Sequence, residues 1–182
     1  MSNLCIECIE ELRSVCSEFM CEAKKLRQAL RNVQAIFTRG VYLAGAISGV
    51  TPEFAAGWRQ KAGDILRRAG YTVYDPTAGK DLEHPAANTA LYNPAKIVER
   101  DLGDIEKSRI ILVEASRDDV PYWGTAMEIR YAYELGKTII VWGPTAPSYW
   151  LQYHATEIFE TLDEALAFIL NTFGPFGKST LD

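Results

Sequence analysis

Short apolar strands alternate with amphipathic helices from Gly40 onward, and this alternation is the feature that most constrains the fold. The candidate strands are rich in β-branched and aromatic residues, and they lie in GVYLAGAISG, YTVYDP, RIILVEA, KTIIVWGP and TEIFE. Helical patterns separate the first four of them. Strands joined through helices form a parallel sheet that is covered on both faces. The pattern therefore predicts an α/β domain with a doubly wound parallel sheet of about five strands.

Capping residues predict where several helices begin and end. Asn93 followed by Pro94 is typical of a helix N-terminus, and Thr161 with Glu164 forms a capping box before the last helix. Gly70 is expected to end the first helix of the domain. Residues 77–92 follow no helical or strand pattern, and a loop of this length in a compact domain is a candidate functional segment.

Residues 4–38 carry a different pattern, a continuous apolar stripe with the three- and four-residue spacing of a heptad seam. We interpret residues 1–39 as an amphipathic helix outside the domain and residues 40–182 as the α/β domain itself. The four cysteines all fall in this helix, and we interpret them as structural rather than as metal ligands. Because one small sheet is too short to bury the stripe, we expect a homo-oligomer.

The composition narrows the possible partners. The chain of 182 residues has a formal net charge of −5, which argues against a nucleic-acid polymer or an anionic membrane as the main partner. No apolar run reaches the roughly 18 residues of a membrane-spanning helix, and no signal-peptide pattern opens the sequence. We therefore expect a cytoplasmic protein. His84 and His154 have no further ligand at metal-binding spacing, so no metal is expected.

The glycines of YLAGAISG are the first candidate site, since ligands of doubly wound sheets bind outside the carboxyl ends of the strands. Gly45 and Gly49 allow backbone N–H groups to approach a ligand closely. Their spacing does not match the G-x-G-x-x-G pattern of dinucleotide-binding proteins. A tight turn without a ligand remains the alternative interpretation.

Asp101 is the second candidate. It lies four residues after Ile97 and four before Ile105, so it points inward with the apolar stripe of its helix. A carboxylate on an apolar face is costly unless it is paired or used in chemistry. The alternative is a buried aspartate that backbone N–H groups satisfy.

Glu128, in GTAMEIRYAYELGKT, is the third candidate and has two interpretations. Thr125 and Glu128 fit the T-x-x-E capping box, in which the glutamate only caps its helix. A carboxylate in the first turn of a helix is also held ionised, as a nucleophile requires. Gly124 leaves room for a substrate to approach it. The spacing alone does not separate these interpretations.

Together, three segments resemble the nucleoside 2-deoxyribosyltransferase family and the related nucleoside monophosphate N-glycosidases. They are YLAGAISG (42–49), ERDLGDIEKSRIILVEAS (99–116) and GTAMEIRYAYELGKTIIV (124–141). The last is the most specific, with a glycine, a glutamate four residues later and A-x-x-x-G-K before a strand. The resemblance covers about residues 40–170, and the domain is expected to be flavodoxin-like.

The resemblance implies roles for individual residues. Glu128 matches the nucleophile that forms a glycosyl ester, and Asp101 matches the aspartate that orients the nucleophile and sugar or assists protonation of the base. Tyr42 matches an aromatic residue whose hydroxyl holds the catalytic carboxylate. The loop residues beside the 5′ position of the sugar are Gly45, Ile47, Ser48 and Gly49.

The sequence departs from the family pattern six residues before Glu128. An aspartate that reads and protonates the base often stands there in the transferases, and here the position is Tyr122. Asp118 or Asp119 could fold back to replace it. The neighbouring Trp123 is expected either to stack on a base or to pack against the protein.

The activity that the resemblance implies is cleavage of the N-glycosidic bond of a deoxynucleoside or deoxynucleotide. Transfer of the sugar to a nucleobase makes the protein a transferase, and transfer to water makes it a hydrolase that acts on a 5′-monophosphate. A non-catalytic nucleotide-binding module is the competing class. No metal or organic cofactor is expected, because two carboxylates supply the nucleophile and the proton handling.

Overall fold

A computed structural model of the protein describes residues 39–83, 93–143 and 147–174, together with Glu22 and Leu26. Apart from those two residues, the predicted N-terminal helix with its cysteines lies outside the described residues. His84 and the part of the predicted loop beyond residue 83 also lie outside them.

Strands and helices alternate through the described ranges, as the sequence pattern predicts. In chain order they are β1 (Gly40–Ala44), α1 (Pro52–Arg68), β2 (Thr72–Tyr74), α2 (Pro94–Lys107), β3 (Ile110–Glu114), α3 (Trp123–Glu134), β4 (Thr138–Trp142), α4 (Tyr149–His154), β5 (Glu157–Phe159) and α5 (Leu162–Phe173). Helix α4 was not predicted, because its six residues are too few to establish a helical period.

The five strands form one parallel sheet in the order β2-β1-β3-β4-β5. This is the strand order of flavodoxin-like folds, and it confirms the predicted fold class. The chain first moves from β1 to β2 on one side and then crosses to β3 on the other side. Ligands of such sheets bind outside the carboxyl ends of the strands where this reversal occurs.

Alternate residues of β1 pack against opposite helical layers. Val41 and Leu43 contribute to the core with α1 and α5, whereas Tyr42 and Ala44 contribute to the core with α2 and α3. All four side chains are fully buried. Burial of a large aliphatic side chain stabilises a fold by about 1.5–3 kcal/mol, so both layers are firmly attached. The alternation directs the phenol of Tyr42 toward the layer that contains α2 and α3.

The helix ends agree with the capping residues of the sequence. The side chain of Asn93 accepts a backbone N–H bond of 3.0 Å, and Pro94 is the first residue of α2. Thr161 and Glu164 make both bonds of a capping box at α5. Gly70 follows α1 with a φ of +84°, a left-handed conformation that glycine adopts without strain. In the ranges that the structure describes, no helix is long and apolar enough to cross a membrane.

Candidate active site

The hydroxyl of Tyr42 and the carboxylate of Glu128 meet at the carboxyl edge of the sheet. Tyr42 Oη donates a hydrogen bond of 2.7 Å to Glu128 Oε1. Strand β1 supplies the tyrosine and helix α3 supplies the glutamate. Burial raises the pKa of Tyr42, and the nearby carboxylates of Glu128 and Asp101 raise it further. Tyr42 is therefore a neutral donor that holds one oxygen of Glu128.

Glu128 does not cap the helix in which it lies. Helix α3 begins at Trp123, after Tyr122, and no side chain caps its first N–H groups. Glu128 is the sixth residue of α3 and stands in the second turn. The capping-box interpretation of Thr125 and Glu128 is wrong, and so is the expected place of Glu128 in the first turn, because the helix begins three residues before the position that such a box requires.

Asp101 lies between two cations. Its Oδ1 accepts hydrogen bonds from Arg100, at 2.8 Å from Nη2 and 3.1 Å from Nε. The Nζ of Lys80 lies 3.6 Å from Oδ2, and only 14% of the Asp101 side chain is exposed. Side-chain cations, rather than the backbone N–H groups considered from the sequence, therefore satisfy this aspartate.

The surroundings of Glu128 raise the pKa of its carboxyl group above the usual range. Burial is the main cause, because desolvation penalises the charged form. The charge of Asp101 also raises this pKa, whereas the Tyr42 hydrogen bond and the cations of Arg59 and Lys80 lower it. Those last three groups stabilise the ionised form that a nucleophile needs.

A buried arginine, Arg59 of α1, fixes the loop that follows β1. Its guanidinium donates to the carbonyl of Gly45 at 2.8 Å and to that of Ala46 at 3.3 Å. Its Nε lies 3.8 Å from Asp75 Oδ1, just beyond the end of β2. Burial lowers the pKa of Arg59, and the carboxylates of Asp75 and Glu128 oppose this effect. One cation thus ties the ends of two strands to the glycine loop.

The glycines of that loop meet two different demands. A Cβ atom on Gly45 would lie 2.8 Å from the Cβ of Glu114, so no larger residue fits. Gly49 has a φ of +83°, which residues with a side chain rarely adopt. Ile47 is half-buried and Ser48 is exposed. Contacts of this loop with the 5′ end of a substrate remain a prediction.

A second buried carboxylate, Glu114 at the end of β3, joins this loop to the segment before α3. Its Oε1 accepts bonds of 2.7 Å from both the N–H and the hydroxyl of Ser116, and one of 2.9 Å from Tyr122 Oη. Its Oε2 accepts a bond of 3.3 Å from the N–H of Ala46. Four donors on one fully buried carboxylate hold the two loops in register.

Tyr122 stands where the resemblance places a base-reading aspartate, but its hydroxyl is occupied within the protein. It donates to Glu114 and accepts a bond of 3.2 Å from the N–H of Arg117. Its φ of +23° is unusual for a residue other than glycine. Asp118 and Asp119 are exposed, and Asp119 pairs with Arg117 at 2.8 Å. Neither aspartate takes the position of a buried base-reading group.

The residues at the start of α3 face open space. Trp123 is 75% exposed, so it does not pack against the described part of the protein. It lines a shallow surface pocket with Met127 and Glu134. A Cβ atom on Gly124 would meet no atom within 4 Å, which leaves this end of the helix accessible. The roles of Trp123 and Gly124 in substrate binding remain predictions.

Three charged residues near the site, Arg59, Lys80 and Glu114, were not predicted from the sequence. Glu114 ends the apolar run IILVE, and Arg59 follows Trp58 on the buried side of α1. Like Asp101, both residues place a charge on an apolar face, which is costly unless the charge is paired or used in chemistry. No such pattern marks Lys80, because it lies in a loop whose sequence has no helical or strand periodicity and so no apolar face.

An apolar cavity of about 360 Å³ lies between α3 and α4, apart from these carboxylates. Its lining includes Tyr122, Ile129 and His154, whereas Glu128 is on another side of α3. The Nδ1 of His154 lies 2.7 Å from the carbonyl of Trp150. The described residues contain no group of three or more histidine, cysteine or carboxylate side chains that could hold a metal.

Known proteins resemble the chain in sequence family and in fold. The family model described as nucleoside 2-deoxyribosyltransferase matches residues 41–169. No individually curated protein matches the chain. Among solved structures, the 2-deoxyribosyltransferase of Bacillus psychrosaccharolyticus has a TM-score of 0.57 and 22% identity, over 73% of this chain and 94% of that chain. The corresponding enzyme of Leishmania mexicana has a TM-score of 0.55 and 17% identity, over 72% of this chain and 97% of that chain. At these identities the likeness shows the fold.

Proposed function

Because this chain belongs to the nucleoside 2-deoxyribosyltransferase family, we propose that it cleaves the N-glycosidic bond of 2′-deoxynucleosides and passes the deoxyribosyl group to an acceptor base. The reaction runs by double displacement through a glycosyl ester of Glu128. Each displacement inverts the anomeric carbon, so the product keeps the configuration of the substrate.

Both displacements take place at the anomeric carbon, C1′. The ionised carboxylate of Glu128 attacks C1′, and the bond from C1′ to the base breaks with its electron pair on the base nitrogen, which takes up a proton. A nitrogen of the acceptor base then attacks C1′, releases the carboxylate and loses its own proton to the site. Because Tyr42 holds Oε1 of Glu128, Oε2 is the oxygen that attacks.

The observation that carries this proposal is the Tyr42–Glu128 hydrogen bond beside Asp101. Three different elements direct these side chains to one place, although burial penalises the charge of Glu128. Ligand binding alone does not require such a charge, whereas a nucleophile does. Asp101 orients the nucleophile and the sugar.

The position of C1′ beside Glu128 indicates where the 5′ end of the sugar and the base lie. The loop with Gly45, Ile47, Ser48 and Gly49 holds the 5′ end of the sugar, because it follows β1 next to Tyr42. Trp123 stacks on the base from the open side of α3, next to Gly124 and Tyr122. The ligands of this site are thus a deoxynucleoside or deoxynucleotide and a free nucleobase.

A 2-fluoro-2-deoxy analogue of the substrate is expected to add the mass of one sugar to Glu128. The fluorine withdraws electrons from C1′ and slows both displacements, so the ester accumulates when its breakdown slows more than its formation. Intact-protein mass spectrometry followed by peptide mapping measures the label. A label on any residue other than Glu128 would refute the assignment.

The same trapped protein separates a transferase from a hydrolase. If the acceptor is a base, adding a free nucleobase restores the unlabelled protein and yields a new nucleoside. If the label leaves equally fast in buffer alone, water is the acceptor. The turnover rates on a nucleoside and on its 5′-monophosphate then show which of the two is the substrate. The Glu128→Gln variant should remain unlabelled in every arm.

We further propose that the protein is a homo-oligomer in which α3 and α4 of two copies pack together. Besides Trp123, which we assign to the base, large apolar side chains are exposed on these two helices; they are Met127, Tyr133, Tyr149, Trp150 and Tyr153. Arg130 and Glu134 form an ion pair of 2.7 Å on α3. Two antiparallel copies of α3 can exchange this pair, so the face is complementary to itself. The apolar stripe predicted in residues 4–38 adds to the association.

Light scattering is expected to show an oligomer at micromolar concentration for the full chain. The double variant Met127→Ser with Trp150→Ser should lower the measured mass, and so should deletion of residues 1–38. The matched control is Lys61→Ser, which removes an exposed ion pair between α1 and α5. A full-length monomer would contradict the proposal, and a mass that only the deletion lowers would assign the interface to residues 1–38 alone.

A further inference from the structure

Departure of the base requires a proton donor, and the contacts of the site exclude several side chains from this role. The anion of a nucleobase is a poor leaving group. A nitrogen of the base must therefore gain a proton as the bond to C1′ breaks. The donor must lie near Glu128, because attacking and attacked atoms are about 3–3.5 Å apart in a reactive complex. This inference rests on the proposed function.

Three nearby groups are unsuited to give this proton. Both oxygens of Asp101 face cations, since Oδ1 accepts from Arg100 and Oδ2 pairs with Lys80, so neither is directed at a leaving base. The Tyr42 hydroxyl donates to Glu128, and burial raises its pKa, which makes it a weaker acid. The Tyr122 hydroxyl donates to Glu114 and so points its proton away from Glu128.

Lys80 reaches the site through a loop with a defined conformation. Asp75 Oδ1 accepts bonds from the N–H of Thr77 at 2.8 Å and from its hydroxyl at 2.6 Å. Arg100 Nη2 donates to the carbonyl of Pro76 at 2.8 Å. The N–H of Lys80 donates to the carbonyl of Thr77 at 3.0 Å. These bonds attach the loop to the end of β2 and to α2.

The ammonium group of Lys80 lies within the carboxylate cluster rather than in solvent. Only 13% of its side chain is exposed, and its Nζ lies 3.6 Å from Asp101 Oδ2. Burial lowers the pKa of Lys80; Asp101 and Glu128 raise it, and the charge of Arg100 lowers it. Lys80 therefore releases its proton more readily than an exposed lysine does, and the two carboxylates oppose this effect of burial.

We propose that Lys80 is a catalytic residue whose ammonium group protonates the leaving nucleobase. As Glu128 forms its bond to C1′, the electron pair of the broken C1′–N bond goes to the base, and a nitrogen of the base takes a proton from Nζ. The neutral amine then accepts the proton that the acceptor base loses in the second displacement. Lys80 thus fulfils the proton-donating role that the resemblance assigns to an aspartate at the position of Tyr122.

The test compares two leaving groups in the same variant. 2′-Deoxyadenosine releases a base that needs a proton, whereas 7-methyl-2′-deoxyguanosine already carries a positive charge on its base and releases a neutral molecule. Lys80→Met is expected to lose about 10²-fold or more in kcat with 2′-deoxyadenosine, the scale of general acid catalysis. With the methylated substrate the loss should be much smaller, because the base needs no proton and only the cation that favours ionised Glu128 is missing.

Lys80→Arg separates proton donation from charge. Arginine keeps the positive charge but does not give up its proton in proteins. We therefore expect Lys80→Arg to lose the 2′-deoxyadenosine reaction as Lys80→Met does, and to keep the reaction of the methylated substrate. Both substrates are compared with the same variant. A partial loss of folded protein lowers both rates by the same factor, so the ratio of the two rates still reports proton donation.

Several results would overturn the proposal. An arginine variant with wild-type rates on both substrates would show that only the charge matters. Equal losses on both substrates, in a variant that melts like the wild type, would assign Lys80 a positioning role. A loss confined to 5′-monophosphates would make Lys80 a phosphate ligand. A wild-type protein that is inactive on every deoxynucleoside and deoxynucleotide would instead overturn the proposed function, and this inference with it.

Discussion

Replacing Glu128 with glutamine is expected to abolish turnover and to leave the fold intact. The amide keeps the shape of the carboxylate and can still accept the hydrogen bond from Tyr42, so only the nucleophilic oxygen is lost. Removal of a nucleophile from an enzyme typically lowers kcat by about 10⁴- to 10⁶-fold. Product separation after incubation with a deoxynucleoside and an acceptor base measures the effect, and thermal unfolding measures the fold.

Glu157→Gln is the matched control for this variant. Glu157 is exposed and begins β5, at the opposite end of the strands from the site. Its replacement should leave kcat within a few-fold of the wild type. Normal turnover by Glu128→Gln, with an unchanged melting temperature, would eliminate the covalent mechanism.

Asp101→Asn is expected to lower kcat by about 10²- to 10⁴-fold, less than the Glu128 variant. The amide removes the negative charge that pairs with Arg100 and Lys80, so both cations lose this partner of opposite charge. Asp104→Asn is the control, because Asp104 lies on the same helix and pairs with Lys107. Full activity of the Asp101 variant would leave Asp101 with a structural role only.

The pH profile distinguishes the role of Asp101 from simple loss of structure. The charge of Asp101 raises the pKa of Glu128, while Tyr42, Arg59 and Lys80 lower it. Removing that charge therefore lowers the pKa of the nucleophile. Since attack requires ionised Glu128, the acid limb of kcat/KM should move to lower pH while the plateau falls. An acid limb that stays in place would contradict the electrostatic link between the two carboxylates.

Local sequence patterns predicted the domain well because its elements depend on local periodicity. The burial of β1 and β3 on both faces follows from their apolar, β-branched residues, and a parallel sheet follows from the helices between them. The capping box of Thr161 and Glu164 was predicted for the same reason, since all its atoms lie within four residues. The family match over residues 41–169 agrees with the segments that carried the resemblance.

The start of α3 shows where local patterns fail. Thr125 and Glu128 have the spacing of a capping box, yet the helix begins earlier and Glu128 bonds to Tyr42 instead. A capping box is worth only about 1 kcal/mol. The helix starts where Tyr122 bonds to the buried Glu114, a contact that the spacing of Thr125 and Glu128 does not record.

The sequence by itself determined the order of the strands and of every helix except α4, the inward direction of Asp101 and the identity of the segments at the carboxyl edge of the sheet. Only the tertiary structure decided which charges meet there. Lys80, Arg59 and Glu114 come from a loop, a helix and a strand end, and their pairing with distant groups leaves no mark in local spacing. Periodicity records which side of an element is buried, whereas electrostatic contacts depend on distances between elements, and these exist only after the sheet has assembled.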